Sequence, residues 1–113
     1  MTNKKRTESD SLGIKKIESK RMWGAQTQRS LENFKISNDK MPKEVIIALG
    51  MQKKAATLAN QNLGLINKNL SNAIVKACDQ VINLSLFDEF PLSVWQTGSG
   101  TQTNMNANEV ISN

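Results

Sequence analysis

The chain has 113 residues, of which 38% are hydrophobic and only 4% aromatic, so one modest core built on Ala, Leu, Ile, Val and Met is expected. A single cysteine and no histidine exclude an internal disulfide framework, a His/Cys metal constellation and a Ser-His-Asp triad within this chain. The net charge of +5 gathers near the start, where Lys4, Lys5, Arg6, Lys15, Lys16, Lys20 and Arg21 face only Glu8, Asp10 and Glu18. No interleaved aromatics or recognition-helix pattern accompany these charges, which predicts a solvated arm and no nucleic-acid partner.

Residues 1–20 show no sustained periodicity and are predicted to be a flexible basic tail, with one short extended piece around residues 14–17. No apolar run follows the basic residues, and Glu8 and Asp10 argue against an acid-poor transit peptide. No segment approaches the roughly 18 apolar residues of a membrane span, so a cytoplasmic protein without a membrane partner is expected.

A short helix is predicted over residues 25–34, with Leu31 and Phe34 on one side. The strongest helical pattern covers residues 42–63: Pro42 suits the first turn, and Val45, Leu49, Ala56, Ala59 and Leu63 repeat at three-to-four spacing. Gly64 is expected to stop it as a left-handed cap. A further helix is predicted from about Ser71, taken as its N-cap, with Ile74, Cys78, Val81 and Ile82 on the buried face and Cys78 serving as a small core hydrophobe. The stretch "KISNDK" is the linker candidate, and no internal repeat is found.

In "FDEFPLSVW" Pro91 breaks any helix, and Leu92, Val94 and Trp95 suggest an extended segment. "WQTGSGTQTNMNANEV" follows, rich in hydroxyls, amides and glycines and uncharged until Glu109; from about Gln102, Met105, Val110 and Ile111 fall on a helical face. The implied geometry is an extended segment, a tight turn permitted by Gly98 and Gly100, and a helix start. Backbone N–H groups there lack intrahelical partners, and the helix dipole adds positive potential. The order of residues does not fit a phosphate loop or a dinucleotide fingerprint. It fits a neutral donor nest for a carboxylate, to which Ser99, Thr101 and Asn104 add side-chain donors, or alternatively a polar turn whose Ser or Thr caps the next helix.

The run "WQTGSGTQTNMNANEVISN" resembles the first signature region of class II fumarases, members of the fumarase/aspartase superfamily. "MWGAQTQRSLENF" and "MPKEVIIALGMQKKAATLANQNLG" resemble the same family's N-terminal domain in the same order, so the resemblance covers nearly the whole chain from Gly13. Aspartases are similar here, but they usually carry a His-containing first motif and Gly-Gly-Ala-Gly-Thr in the loop. Gln26-Thr27-Gln28 and Thr97-Gly98-Ser99-Gly100-Thr101 favour fumarase. One departure is Ile17-Glu18-Ser19-Lys20-Arg21, where the family commonly has Val-Pro-Ala-Asp-Lys.

The resemblance implies a mainly α fold with little strand, the N-terminal helical domain of the fumarase/aspartase fold, with residues 21–113 forming a partial, truncated version of it. It implies reversible hydration of fumarate to (S)-malate in a cytoplasmic homotetramer that needs no metal or organic cofactor. Substrate contact is assigned to Ser99, Gly100 and Thr101, while Thr97, Gln102 and Asn104 shape the turn. Family members are about four times longer. Their His-bearing region, the long helices of the tetramer core and the loop carrying the catalytic serine have no counterpart here, so no catalytic residue is expected within this fragment. The alternative is a stand-alone helical binding or interaction module without catalysis.

Overall fold

The computed structural model describes residues 4–35, 39–94 and 100–113. Among the described residues two short strands precede four helices: β1 (Lys5–Asp10), β2 (Gly13–Glu18), α1 (Ala25–Asn33), α2 (Lys43–Asn62), α3 (Lys68–Ile82) and α4 (Thr101–Ser112), with one 3-10 turn at Phe87–Glu89. The architecture is mainly helical, as the sequence predicts.

The first correction concerns the expected tail. β1 and β2 form an antiparallel hairpin in the register Arg6↔Ile17, Glu8↔Lys15 and Asp10↔Gly13, so the extended piece at 14–17 is one arm of a pair. Leu12 N–H donates to Asp10 Oδ1 at 2.9 Å, closing the turn, and Gly13 takes φ +128°, where a side chain would be strained. The inward positions of β1 are Arg6, Glu8 and Asp10, so no apolar period marks the strand. Ion pairs and backbone contacts hold it. Arg29 Nη2 donates to Asp10 Oδ1 at 2.7 Å and Lys15 Nζ meets Glu32 Oε1 at 2.6 Å, both tying the hairpin to α1. The Arg29 guanidinium holds the Asp10 carboxyl below its ordinary pKa, and Lys15 does the same for Glu32. Arg6 donates to the carbonyls of Glu18, Arg21 and Trp23, fixing the path from β2 to α1.

α2 and α3 pack as an antiparallel pair. Gly64 at φ +73° closes α2: its N–H donates to Gln61 O and that of Leu65 to Asn60 O, the paired bonds of a Schellman motif. The N-cap of α3 is Asn67, whose side chain accepts from Leu70 N–H, and not Ser71. Ser71 lies a turn inside, buried, and donates its hydroxyl to Gln61 Oε1 at 2.7 Å.

A further correction concerns the buried stripe of α2. Ile46, Gly50 and Thr57 face inward, whereas Ala56 and Ala59 are exposed, Val45 is 40% exposed and Leu63 is 72% exposed. The contact stripe is rotated by one residue because Gly50 lets α3 approach closely: a Cβ there would lie 2.9 Å from Ile82 Cγ1 and 3.1 Å from Val81 Cγ1. On α3, Cys78 and Val81 are buried as expected, while Ile74 and Ile82 are half-buried. Burial pushes the Cys78 thiol pKa up, consistent with a small core hydrophobe.

The core gathers Ile17 of β2, Trp23, Ile46 of α2, Val81 of α3, Phe90 and Ala107 and Val110 of α4, with Leu31 of α1 packed against it. α4 packs on α1, α2 and α3.

Candidate functional site

The loop is approached from the predicted extended segment, where Ser93 pairs with Lys40 in an antiparallel bridge and Val94 N–H donates to Asp39 O at 2.8 Å. Leu92 is buried beside them. Residues 95–99 lie outside the described residues, so the expectations for Trp95, Thr97, Gly98 and Ser99 fall there.

Gly100 is the N-cap of α4, with φ 75° and ψ 4°, and as a glycine it offers no capping side chain of its own. Thr101 is the first helical residue, so the N-cap position is held by glycine and Thr101 sits one residue inside it. A left-handed residue followed by a right-handed one turns consecutive backbone N–H groups toward one side, an arrangement suited to anions. The α4 dipole points its positive end to the same place.

Side-chain contacts tie the first turns of α4 to α2 and to the 3-10 turn. Lys53 Nζ, on α2, donates to Asn104 Oδ1 at 2.6 Å, while Asn104 N–H donates to Gly100 O at 3.1 Å. Asn106 is buried and donates Nδ2 to Glu89 O at 2.9 Å, joining α4 to the 3-10 turn. Arg21 stacks over Trp23 at 5.0 Å and stands 3.7 Å from the carboxylate of Glu89.

Two turns further on, Glu109 does what no residue of α1 does. Its Oε1 accepts from Gly24 N–H at 3.2 Å, Thr27 N–H at 2.9 Å and Thr27 Oγ1 at 2.6 Å, and its Oε2 accepts from Gln26 N–H at 3.0 Å. A carboxylate 82 residues away in sequence thus caps α1. Gly24 is required for it: a Cβ there would meet Glu109 Oε2 at 2.6 Å. Neither Glu109 nor Lys53 was picked out by sequence reasoning; the only signal was that Glu109 is the lone charge in an otherwise neutral run.

A groove of about 660 Å³ lies between α2, α3 and the end of α4, with Met22, Lys53, Ala56, Ile74, Leu86 and Val110 in its mainly apolar wall. It lacks the turn geometry of Gly100–Thr101. Among the described residues no group of three or more acidic or cysteine side chains is arranged to hold a metal ion, and no helix is long and apolar enough to cross a membrane.

Comparison with known proteins agrees with the fold. The chain is 55% identical over 108 residues to a class II fumarate hydratase of Helicobacter pylori strain J99 and 56% identical to a "Fumarate hydratase class II 2" of Bradyrhizobium diazoefficiens. Each match covers 96% of this chain and 23% of the relative, so the chain spans about a quarter of the length of these proteins. The crystal structure of recombinant class II fumarase from Schistosoma mansoni superposes with a TM-score of 0.94 at 50% identity, covering 96% of this chain and 23% of that one. A family model described as "Lyase" matches residues 13–113, from the hairpin turn to the last residue of the chain, and on that match the chain belongs to the lyase family.

Proposed function

We propose that this chain is the N-terminal portion of a fumarate hydratase, which reversibly adds water across fumarate to give (S)-malate, and that it contributes the dicarboxylate-binding loop Ser99-Gly100-Thr101. The observation that carries the reading is the identity of 53–56% over 96% of the chain to class II fumarate hydratases. The left-handed Gly100 ahead of α4 supports the loop's part in it.

The chemistry explains why a neutral nest is useful. Removing a proton from the carbon next to a carboxylate drives negative charge onto that carboxylate's oxygens. Donors already aimed at those oxygens stabilise the aci-carboxylate more than the ground state, and so lower the barrier. The proton-transfer groups belong to parts of the enzyme outside this sequence. Within this reading the complete protein is a cytoplasmic homotetramer, acts without metal or organic cofactor, and binds a small dicarboxylate.

The test is the product made by a full-length enzyme carrying this sequence as its N-terminal part. Fumarate in water should give malate, and added ammonia should give no aspartate. Aspartate formation would move the chain to the amino-acid branch of its relatives, and neither product would leave the binding-module alternative.

A further inference from the structure

We infer that Asn104 is an additional dicarboxylate-binding residue and that Lys53 is the residue that positions it; the inference rests on the fumarate hydratase reading. An ammonium group can only donate, so the 2.6 Å contact from Lys53 Nζ fixes Asn104 with Oδ1 toward the lysine and Nδ2 turned away from it. Nδ2 then has two N–H donors and no acceptor among the described residues. The other asparagines on this helix are different: Asn106 Nδ2 is spent on Glu89 O, and Asn108 Nδ2 contacts Met105 Sδ at 3.6 Å.

Position agrees with this assignment. Asn104 is one helical turn after Gly100, to whose carbonyl its own N–H is bonded, so it lies on the same side of α4 as Gly100. Charge agrees as well. Lys53 is half-buried, and its ammonium is not among the ion pairs that Lys15, Lys20 and Lys54 make with carboxylates. A half-buried cation bonded to a neutral amide leaves positive potential beside the loop, and bonding to Lys53 polarises the amide so that its N–H groups donate more strongly. Both effects favour a dianionic ligand.

The experiment uses the full-length enzyme carrying this sequence. Asn104→Asp keeps an acceptor for Lys53, now as a charge pair, but removes the N–H donors and sets a negative charge against the substrate. The KM for fumarate should rise roughly 10–100-fold with kcat within about threefold of the parent, and the melting temperature should be unchanged or higher. Lys53→Met should also raise KM, and Lys53→Arg should restore it. If Asn104→Asp does not assemble, Asn104→Ser carries the same expectation for KM. A KM within about twofold of the parent in the assembled Asn104 variant overturns the inference, because a purely structural Lys53–Asn104 link would survive as the charge pair. Thr101→Val measured alongside separates the two readings: if it impairs turnover while the Asn104 variants do not, only Asn104 and Lys53 are excluded from the site; if it too has no effect, the loop assignment itself fails.

Discussion

Glu109 and Thr27 are bonded twice, through the Thr27 N–H at 2.9 Å and its hydroxyl at 2.6 Å, so the first turn of α1 is closed by a carboxylate from α4. Glu109→Ala would leave three backbone N–H groups and a hydroxyl without that acceptor. The expected loss is about 2–3 kcal/mol, more than an ordinary cap because the bonds are charge-assisted. Glu109→Gln, which keeps a carbonyl oxygen, should lose less. Gly24→Ala should resemble Glu109→Ala, since its methyl group displaces the carboxylate. Denaturant midpoints of the three variants check this, and equal midpoints for parent and Glu109→Ala would show that water replaces the carboxylate without cost.

Gly50→Ala tests the close packing of α2 on α3. Helix propensity alone favours alanine by about 1 kcal/mol. The new methyl group would meet Ile82 Cγ1 at 2.9 Å and the Cys78 carbonyl at 3.4 Å, and overpacking of this kind costs about 1–3 kcal/mol. We expect net destabilisation. A higher melting temperature for the alanine variant would show that α3 yields freely.

The hairpin is joined to α1 through Asp10 and Arg29, and its attachment should depend on pH. The folded state holds the Asp10 carboxyl below its ordinary value of 3.8, so it contributes stability that is fully present above that value and is lost as pH falls through the lower folded value. Amide exchange in β1 should therefore accelerate below about pH 4 more steeply in the parent than in Asp10→Asn, which has no carboxyl to protonate there. Identical profiles would remove this pair from the attachment.

Much of the helical layout was legible because local signals and packing agree. Pro42 and Gly64 bracket α2, Cys78 and Val81 are buried, and the start of α4 follows Gly100. The hairpin was not legible because its inward residues are Arg6, Glu8 and Asp10, whose partners lie on α1 and in the backbone between β2 and α1. The stripe of α2 was displaced because periodicity weighs side chains and gives no credit to Gly50, whose missing side chain sets the contact. At the start of α4, Gly100 takes the left-handed conformation that only a glycine adopts easily, and Thr101 opens the helix. Lys53 reaches Asn104 from 51 residues away in sequence, a relationship only the tertiary fold creates.

The isolated chain should behave as part of a larger assembly. Met51, Leu63, Leu65 and Leu70 are 58%, 72%, 70% and 49% exposed, and α2 and α3 cover each other only in part. We expect helical circular dichroism, a broad melt, association that increases with concentration, and no malate formation, because a donor nest binds but moves no proton. A sharp, concentration-independent melt of a monomer, or malate formed above a control lacking the chain, would contradict this.

The central claim, that the loop before α4 stabilises a developing dicarboxylate charge, is tested most directly at Thr101 in a full-length enzyme with this N-terminal sequence. The measurement is kcat/KM beside melting temperature for Thr101→Val and Thr101→Ser. Because Gly100 and not Thr101 is the cap, Thr101→Val should change stability little while kcat/KM falls roughly 100–1,000-fold, the scale of a lost oxyanion donor, and Thr101→Ser should recover much of the activity. A valine variant that melts early yet turns over normally per folded molecule would contradict the account.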